Sequence, residues 1–464
     1  MLQCIGMNAE FFRLTSCAVG EPRTGIIDMI RKGLIGHLSL EAMVSGNNSQ
    51  ATRRRFLQSS AAVGGALALA GCTGNIGGGG GEEPIKIGDL APRTGAAAIY
   101  GQAKYRAARL IVERQNENGG LLGRNIELIA EDSQSDIERY KNLTNKLILE
   151  DEVDFLTGAV NSSAREAIRP VLAENKQLSA YTTQYEGGVC DQYMFVTGPT
   201  PDQNLAPLIP YMMENFGNSV YIAAADYNYG HIAAQIATEM IENEGGEVLG
   251  EEFIPLSVSD FTSTINRMNN EDPDWMMHFL VGSNHQNFFS QQHSAGLDLP
   301  IGSPMAFAST YDHLTIESPA MSNVTGCSTY VEELSGEENQ EHVEALKDGE
   351  PSIRYANAPH FNHWMAYQYY FDAVEEAGTV EQSEVMSVIE SGDFTVDTPV
   401  GTTQTMTRAH HPDLTMYMFT ANDDHELEII DEFPDLEPST ILEECQVGTD
   451  ESSWDDPISE FIYS

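Results

Sequence analysis

From residue 85 onward, short apolar runs alternate with longer segments in which apolar residues recur every three or four positions. The short runs predict buried strands, and the longer segments predict amphipathic helices. This first part of the pattern predicts strands at 85–91, 125–131, 155–158 and 178–183, and helices after Gly101, at 137–149 and from Ser162. Such alternation implies right-handed βαβ units around a parallel sheet.

The pattern starts again after Thr200 and Pro201. Its second part predicts helices at 204–215, 231–244, 261–270 and 286–295, and strands at 220–226, 248–254 and 275–280. The sequence therefore predicts an α/β protein of two lobes, the second beginning near residue 202.

Hydroxyl-bearing side chains cluster where two of the predicted strands end. The candidates are Ser162, Ser163, Tyr181, Thr183 and Tyr185. In an open α/β sheet, ligands bind in the crevice at the carboxyl ends of the strands, so this stretch predicts a site for a small polar ligand. Two alternatives stay open: Ser162 as a helix cap with Glu166 as its capping-box partner, and Tyr181 as a core residue.

The charge of the chain is strongly acidic. Its 464 residues include 70 acidic and 24 basic side chains, a formal charge of −46, with 41% hydrophobic residues, enough for an ordinary core. Because the acidic residues are spread along the chain, we expect adaptation to high salt, where self-repulsion is screened. Nucleic acid is excluded as a partner by the same charge.

The N-terminal region carries targeting motifs. Arg53-Arg54-Arg55 resembles a twin-arginine export signal, and the apolar run at 59–69 is too short to span a bilayer. Residues 69–72 resemble a lipoprotein cleavage box that leaves Cys72 as the lipidated N-terminus. We therefore expect a signal at 1–72, a Gly-rich tether at 73–83 and a location on the outer face of the membrane. Residues 1–42 fit no export pattern, which favours a start at Met43 over an extended signal.

Cysteine and histidine carry few signals. Cys190, Cys327 and Cys445 cannot all pair internally; outside the cell one pair could be bridged, but isolated buried thiols are the expectation. His360 with His363, and His410 with His411, lack partners at metal-ligand spacing, so no metal and no cofactor is predicted. The sequence also contains no catalytic motif that predicts an enzyme.

Several short motifs resemble one family of proteins. Thr94-Gly95, Gly101 and the segment 118–124 resemble the opening of the periplasmic binding proteins for branched-chain amino acids, urea and amides. Tyr185-Glu186-Gly187 and the segments 226–229, 281–289 and 396–401 resemble the urea and short-chain-amide branch. The resemblance covers residues 84–433. It implies two Rossmann-like lobes with parallel sheets, joined by three crossovers and closing over a ligand.

By this resemblance, lobe one comprises 84–202 and 331–395, lobe two comprises 203–330 and 396–440, and 441–464 form an acidic tail. The implied ligand contacts are Ser162, Ser163, Tyr181, Thr183 and Tyr185 from lobe one, and Tyr227, Tyr229, Gly282 and Tyr311 from lobe two. The chain departs from the family at Val160, where the amide branch has an aromatic residue, and at Tyr311, where the urea branch has an acid.

The resemblance implies a solute-binding lipoprotein that delivers urea or a short-chain amide to the permease and ATPase of an ABC importer. Two alternatives stay open. An amino-acid ligand needs a carboxylate for its ammonium group, for which Asp226, Asp312 and Glu186 are the candidates. An extracytoplasmic sensor would bind the same ligand but signal to a membrane receptor.

Overall fold

The structure is a computed structural model, and it describes residues 83–438 and Cys445. The predicted signal, most of the tether and most of the acidic tail lie outside the described residues, as does Cys72. Within the described part of the chain, no helix is both long and apolar enough to cross a membrane.

A five-stranded parallel sheet forms the centre of lobe one, in the order β2-β1-β3-β4-β5. Its strands are β1 (Ile85–Asp89), β2 (Ile126–Ala130), β3 (Phe155–Thr157), β4 (Ser179–Tyr181) and β5 (Met194–Val196). The connecting helices are α1 (Ala98–Glu117), α2 (Ile137–Leu149) and α3 (Ser162–Asn175). The predicted alternation in this region is confirmed. The sequence predicts that helix α1 begins after Gly101, but the helix begins at Ala98 and includes this glycine. A Cβ on Gly101 would lie 2.1 Å from the Pro92 carbonyl oxygen.

A seven-stranded sheet forms the centre of lobe two, in the order β14-β13-β10-β9-β8-β6-β7. The strands are β6 (Ser219–Ala225), β7 (Glu247–Ile254), β8 (Trp275–Phe279), β9 (Ile301–Ser303), β10 (Val324–Ser328), β13 (Leu414–Ala421) and β14 (Leu427–Leu436). The helices of this lobe are α4 (Pro201–Phe216), α5 (Asn228–Asn243), α6 (Thr262–Glu271) and α7 (Ser283–Ser294).

The sheet of lobe two is parallel, as expected, except at one edge. Strand β13 pairs antiparallel with both β10 and β14. The turn between β13 and β14 is short, closed by hydrogen bonds between Asn422 and Glu426. A connection of this length permits only an antiparallel neighbour, because a parallel one requires a crossover of a dozen or more residues.

The chain passes between the two sheets three times: after β5, after β10 and before β13. The last two passages enclose α8 (Glu337–Gly349), α9 (Ala358–Ala377), α10 (Gln382–Ile389) and a small hairpin of β11 (Thr395–Asp397) with β12 (Thr403–Thr405). Helix α9 packs against α1, and 15 of its 20 residues are buried. A helix that is apolar on all sides belongs in the interior, and Tyr370 of α9 stacks on Phe155 of β3 with ring centroids 4.3 Å apart.

The expectation of isolated thiols is wrong for two of the three cysteines. Cys190 and Cys445 form a disulfide, with their Cα atoms 5.4 Å apart across 255 residues of sequence. Cys327 is a free, buried thiol, as expected. Spacing in sequence carries no information about a contact of this range, so only the folded chain reveals the pair.

We expect loss of this disulfide to lower the free energy of unfolding by about 2–4 kcal/mol, because a cross-link restricts the unfolded chain. The comparison is wild type against the Cys190→Ser/Cys445→Ser variant in guanidinium chloride, with Cys327→Ala as the control that retains the cross-link. Peptide mapping without reductant should recover Cys190 joined to Cys445. Recovery of both cysteines as free thiols would contradict the assignment.

Candidate functional site

The loop after β3 brings the candidate residues to the edge of lobe one. Gly158 has a φ of 103°, and a Cβ there would lie 2.5 Å from the backbone nitrogens of Leu90 and Ala91, so only glycine fits. Asn161, and not Ser162, caps α3 by accepting a hydrogen bond from the Ala164 N–H. The Ser162 side chain is thereby released from the capping role considered from the sequence.

Ser162 takes part in a buried ionic group. Its hydroxyl donates to Glu186 Oε2 at 2.6 Å, while the Arg165 guanidinium donates to Glu186 Oε1 at 2.8 Å. All three side chains are buried. Arg165 also lies over the rings of Tyr181 and Tyr185, 5.0 and 4.7 Å from their centroids. Because a buried charge is costly unless it is paired, this arrangement provides the buried Arg165 guanidinium with a carboxylate partner.

Tyr181 and Thr183 lie beside this ionic group at the end of β4. The Tyr181 hydroxyl donates to the Val160 carbonyl at 3.0 Å, and burial raises its pKa. Thr183 accepts a hydrogen bond from the ammonium group of Lys104, which also donates to the Ala159 carbonyl at 3.0 Å. Burial lowers the pKa of Lys104 to about 7, against the attraction of Asp89. The cleft wall thus contains a cation that titrates near neutrality.

Lobe two contributes Tyr227 and Tyr229 from the start of α5, with ring centroids 6.1 Å apart. Burial, and then the proximity of Tyr229, Tyr181 and Tyr100, raises the pKa of Tyr227 well above its usual value. Tyrosines from both lobes therefore meet across the cleft. Of the predicted ligand contacts, the fold brings Ser162, Tyr181, Thr183, Tyr227 and Tyr229 into this one cluster.

Gln184 joins the lobes at this cluster. Its amide nitrogen donates to the Tyr229 hydroxyl at 3.3 Å and contacts the Met305 sulfur, and its amide oxygen accepts from Ser309 at 3.5 Å. Gly282, at a φ of 61°, donates its N–H to the Tyr100 hydroxyl at 3.5 Å. Both contacts run between lobe one and lobe two, so the separation of the lobes is set here.

Tyr185 lies beside the cluster: its ring packs edge-on against that of Tyr181 with centroids 5.6 Å apart, and its buried hydroxyl bonds to His411. Two other predicted contacts lie outside the cluster. Ser163 is half-buried on α3, and Tyr311 is half-buried with its ring 6.5 Å from that of Tyr355. The three carboxylates considered as ammonium partners are all engaged: Asp226 with His231 at 2.9 Å, Asp312 with His285 at 2.8 Å, and Glu186 with Arg165.

Sequence reasoning missed four residues of the site: Tyr100, Lys104, Gln184 and the ion-pair partner Arg165. A signal existed for Lys104, which occupies the same face of α1 as the buried residues Tyr100, Ala107 and Ile111. A lysine on an apolar helix face is rarely buried without a polar partner. Gln184 carried no signal, because its contacts are with residues more than 40 positions away.

The two histidine pairs have separate roles. His363 bonds through Nε2 to Asp89 Oδ2 and through Nδ1 to the Thr182 hydroxyl, each at 3.0 Å, which ties α9 to the ends of β1 and β4. His410 bonds to the Asp191 carbonyl at 2.9 Å and to Glu390 at 3.0 Å. Within the part of the chain that the structure describes, no group of three or more His, Cys, Asp or Glu side chains could hold a metal ion.

This arrangement of two lobes with a polar cleft has counterparts among known proteins. A profile of the periplasmic binding protein family matches residues 84–426. The chain belongs to this family. Its two sheets are the two lobes of that fold, and the tyrosine cluster lies between them.

Individual relatives of this periplasmic binding protein match over part of their length. A Leu/Ile/Val-binding protein of Rhizobium johnstonii is 28% identical over 196 residues, 41% of this chain and 53% of the relative. The Leu/Ile/Val-binding protein of Escherichia coli K12 is 20% identical over 270 residues, 57% of this chain and 71% of the relative. The chain thus spans about half the length of the first relative. Both are named as binding proteins and not as enzymes.

Solved structures share the fold of this periplasmic binding protein at low identity. One is a solute-binding protein of an ABC transporter from Rhodopseudomonas palustris, in complex with 3,4-dihydroxybenzoic acid. It is 21% identical with a TM-score of 0.68, and the match covers 77% of this chain and 99% of that structure. The branched-chain amino acid transporter substrate-binding protein of Streptococcus pneumoniae, in complex with isoleucine, is 19% identical with a TM-score of 0.67, covering 75% and 99%.

The buried ammonium of Lys104 predicts a dependence of stability on pH. In the unfolded chain a lysine titrates near pH 10.4, so between about pH 7 and 10 only the unfolded chain holds this proton. Stability then rises with pH across this window, since the unfolded state binds more protons. We expect Lys104→Met to remove this rise in guanidinium chloride denaturation at pH 7 and pH 9.5.

The control is Lys141→Met, which changes an exposed lysine on α2 and should keep the pH profile of the wild type. Parallel profiles for wild type and Lys104→Met would show that the folded state does not depress the pKa of Lys104.

Proposed function

We propose that this protein is the extracytoplasmic solute-binding component of an ABC importer, and that it captures urea or a short-chain amide between its lobes. Membership of the periplasmic binding protein family supports the binding role. The Leu/Ile/Val-binding relatives and the transporter-associated structural neighbours support the connection to a permease and an ATPase.

The chemistry of the cleft is the observation that supports an amide as the ligand. Its lining combines the hydroxyls of Ser162, Tyr181, Thr183 and Tyr229 with the amide of Gln184. Hydroxyls and amides both donate and accept hydrogen bonds, as a neutral amide does. Each unpaired polar group of a buried ligand would cost about 1–3 kcal/mol, so a buried amide requires a lining of groups that donate and accept. The tyrosine rings provide flat faces for a planar group.

An α-amino acid fits the lining less well. Its ammonium group needs a carboxylate, and Asp226, Asp312 and Glu186 each already have a cationic or histidine partner. Glu186 in particular is balanced by Arg165, so a ligand cation would compete with a buried guanidinium.

A ligand with a carboxylate group is the second candidate. The ammonium of Lys104 beside Thr183 favours it, because a charged donor strengthens a hydrogen bond to an anion. Amino acids and aromatic acids both carry this group, and one structural neighbour holds 3,4-dihydroxybenzoic acid. The sensor alternative shares the ligand and differs only in its membrane partner; a neighbouring gene for a receptor would favour it over permease and ATPase genes.

Calorimetry in molar salt distinguishes these ligands. We expect urea or acetamide to bind with one-to-one stoichiometry, and leucine, glutamate and benzoate to bind at least tenfold more weakly. Binding also favours the closed arrangement of the lobes, since the ligand contacts both. Tight binding of leucine or benzoate alone would contradict the amide proposal but leave the binding-protein role intact.

The cleft is tested by removing single hydroxyls from its lining. Tyr181→Phe and Thr183→Ala should each weaken ligand binding at least tenfold, because the ligand loses a hydrogen-bond partner in a buried setting. Tyr211→Phe, a matched change on α4, is the control. Unchanged affinity in the first two variants would show that Tyr181 and Thr183 do not belong to the ligand site.

We further propose that the protein is exported by the twin-arginine route and anchored through a lipid on Cys72. The motifs at 53–55 and 69–72 support this. We expect Cys72→Ser to move the protein from the membrane fraction to the medium, because a lipid chain is the proposed attachment. Immunoblots of both fractions provide the measurement. An exported Cys72→Ser protein that stays with the membrane would contradict the lipid anchor.

A further inference from the structure

A second cavity lies beside the cleft, on a different face of α1. Its volume is about 120 Å³, well above the roughly 10–15 Å³ that holds one water molecule. The polar lining includes Gln102, Arg106, Tyr311, Arg354, Tyr355 and His360, together with Ser352 and Asn357. It shares no residue with the tyrosine cluster, because Tyr100 and Lys104 point from the adjacent face of α1.

Two guanidinium groups define the charge of this cavity. Arg106 forms only a long hydrogen bond to Gln102 at 3.5 Å, and within residues 83–438 no carboxylate pairs with Arg354. The nearby Glu350 lies in the field of Arg106, but its ion pair is with Arg109. Two lining side chains also bond to carboxylates, Ser352 to Glu350 and Tyr355 to Glu333. In a chain of net charge −46, two arginines without a salt bridge at one cavity are still a local concentration of positive charge.

His360 supplies an unsatisfied polar group in the same place. It is 2% exposed, and neither ring nitrogen has a hydrogen-bond partner among the described residues. Burial, and then the proximity of His342 and Arg106, lowers the pKa of His360 to about 3, so the ring is neutral at physiological pH and offers one N–H donor. A buried polar group without a partner costs about 1–3 kcal/mol, which a bound group would offset.

We propose that this cavity is a binding site for a small oxyanion, held by Arg106, Arg354 and His360. Guanidinium forks match carboxylate, sulfate and phosphate oxygens, which form strong charge-assisted hydrogen bonds with them. The volume accepts an anion of several heavy atoms.

The position of the cavity links such an anion to the arrangement of the lobes. Arg106, Arg354 and His360 belong to lobe one, whereas Tyr311 belongs to lobe two. An anion that is held by the first three residues and also contacts Tyr311 stabilises one relative arrangement of the lobes. By linkage, it then changes the affinity of the cleft for its ligand, and the cleft ligand changes the affinity for the anion by the same factor.

Thermal unfolding of the full protein tests the site. Part of the potassium chloride is replaced by potassium acetate, sulfate or phosphate at constant ionic strength, so that screening does not change. We expect at least one of these salts to raise Tm in a saturable manner, as binding to the folded state requires. The Arg106→Gln/Arg354→Gln double variant should bind that anion at least tenfold more weakly. The salt that acts identifies the class of oxyanion.

Arg139→Gln/Arg408→Gln removes two other positive charges and is the matched control, expected to respond as the wild type does. Equal effects of every salt on all three proteins would mean a general salt effect and overturn the proposal, as would the absence of any effect. An effect lost in Thr183→Ala but kept in Arg106→Gln/Arg354→Gln would place the anion in the cleft and also overturn it. These outcomes are independent of urea or acetamide binding.

Discussion

The pairing of buried charge sets the form of the cleft. The Arg165 guanidinium is buried in lobe one against the rings of Tyr181 and Tyr185, and Glu186 is the carboxylate that makes this burial possible. Removing one partner of such a pair leaves the other charge exposed to a medium of low dielectric constant, which is strongly destabilising. The loop after β4 is therefore held against the start of α3, and Ser162 and Tyr181 take their positions from that contact.

The same logic extends inward from the cleft. Asp89 at the end of β1 bonds to His363 of α9, and Lys104 of α1 reaches the Ala159 carbonyl at the end of β3. Each group lies near the carboxyl ends of the strands of lobe one, where the family fold places its ligand site. Among the buried ionisable side chains at this edge of lobe one, Arg165 and Lys104 are basic, and Glu186 and Asp89 are acidic.

Much of the fold could be read from the sequence, because each βαβ unit has a local apolar signature. The strands at 85–89 and 155–157 and the helices between them are set by such patterns. Three features could not be predicted from the sequence: the hairpin of β13 with β14, the pairing of Cys190 with Cys445, and the contact of Gln184 with Tyr229. These depend on contacts between residues far apart in sequence, for which periodicity carries no information. In the site, residue types at strand ends were informative, whereas charge pairing needed the fold.

The disulfide has a geometric consequence for motion. Strand β14 ends lobe two at Leu436, and Cys445 returns the chain to Cys190 in lobe one. The nine residues from 437 to 445 can span about 30 Å when fully extended. A covalent connection of fixed maximum length therefore joins the lobes in addition to the three passages of the main chain. The widest opening available to the lobes is limited by this fourth connection, and it exists only while the surroundings are oxidising.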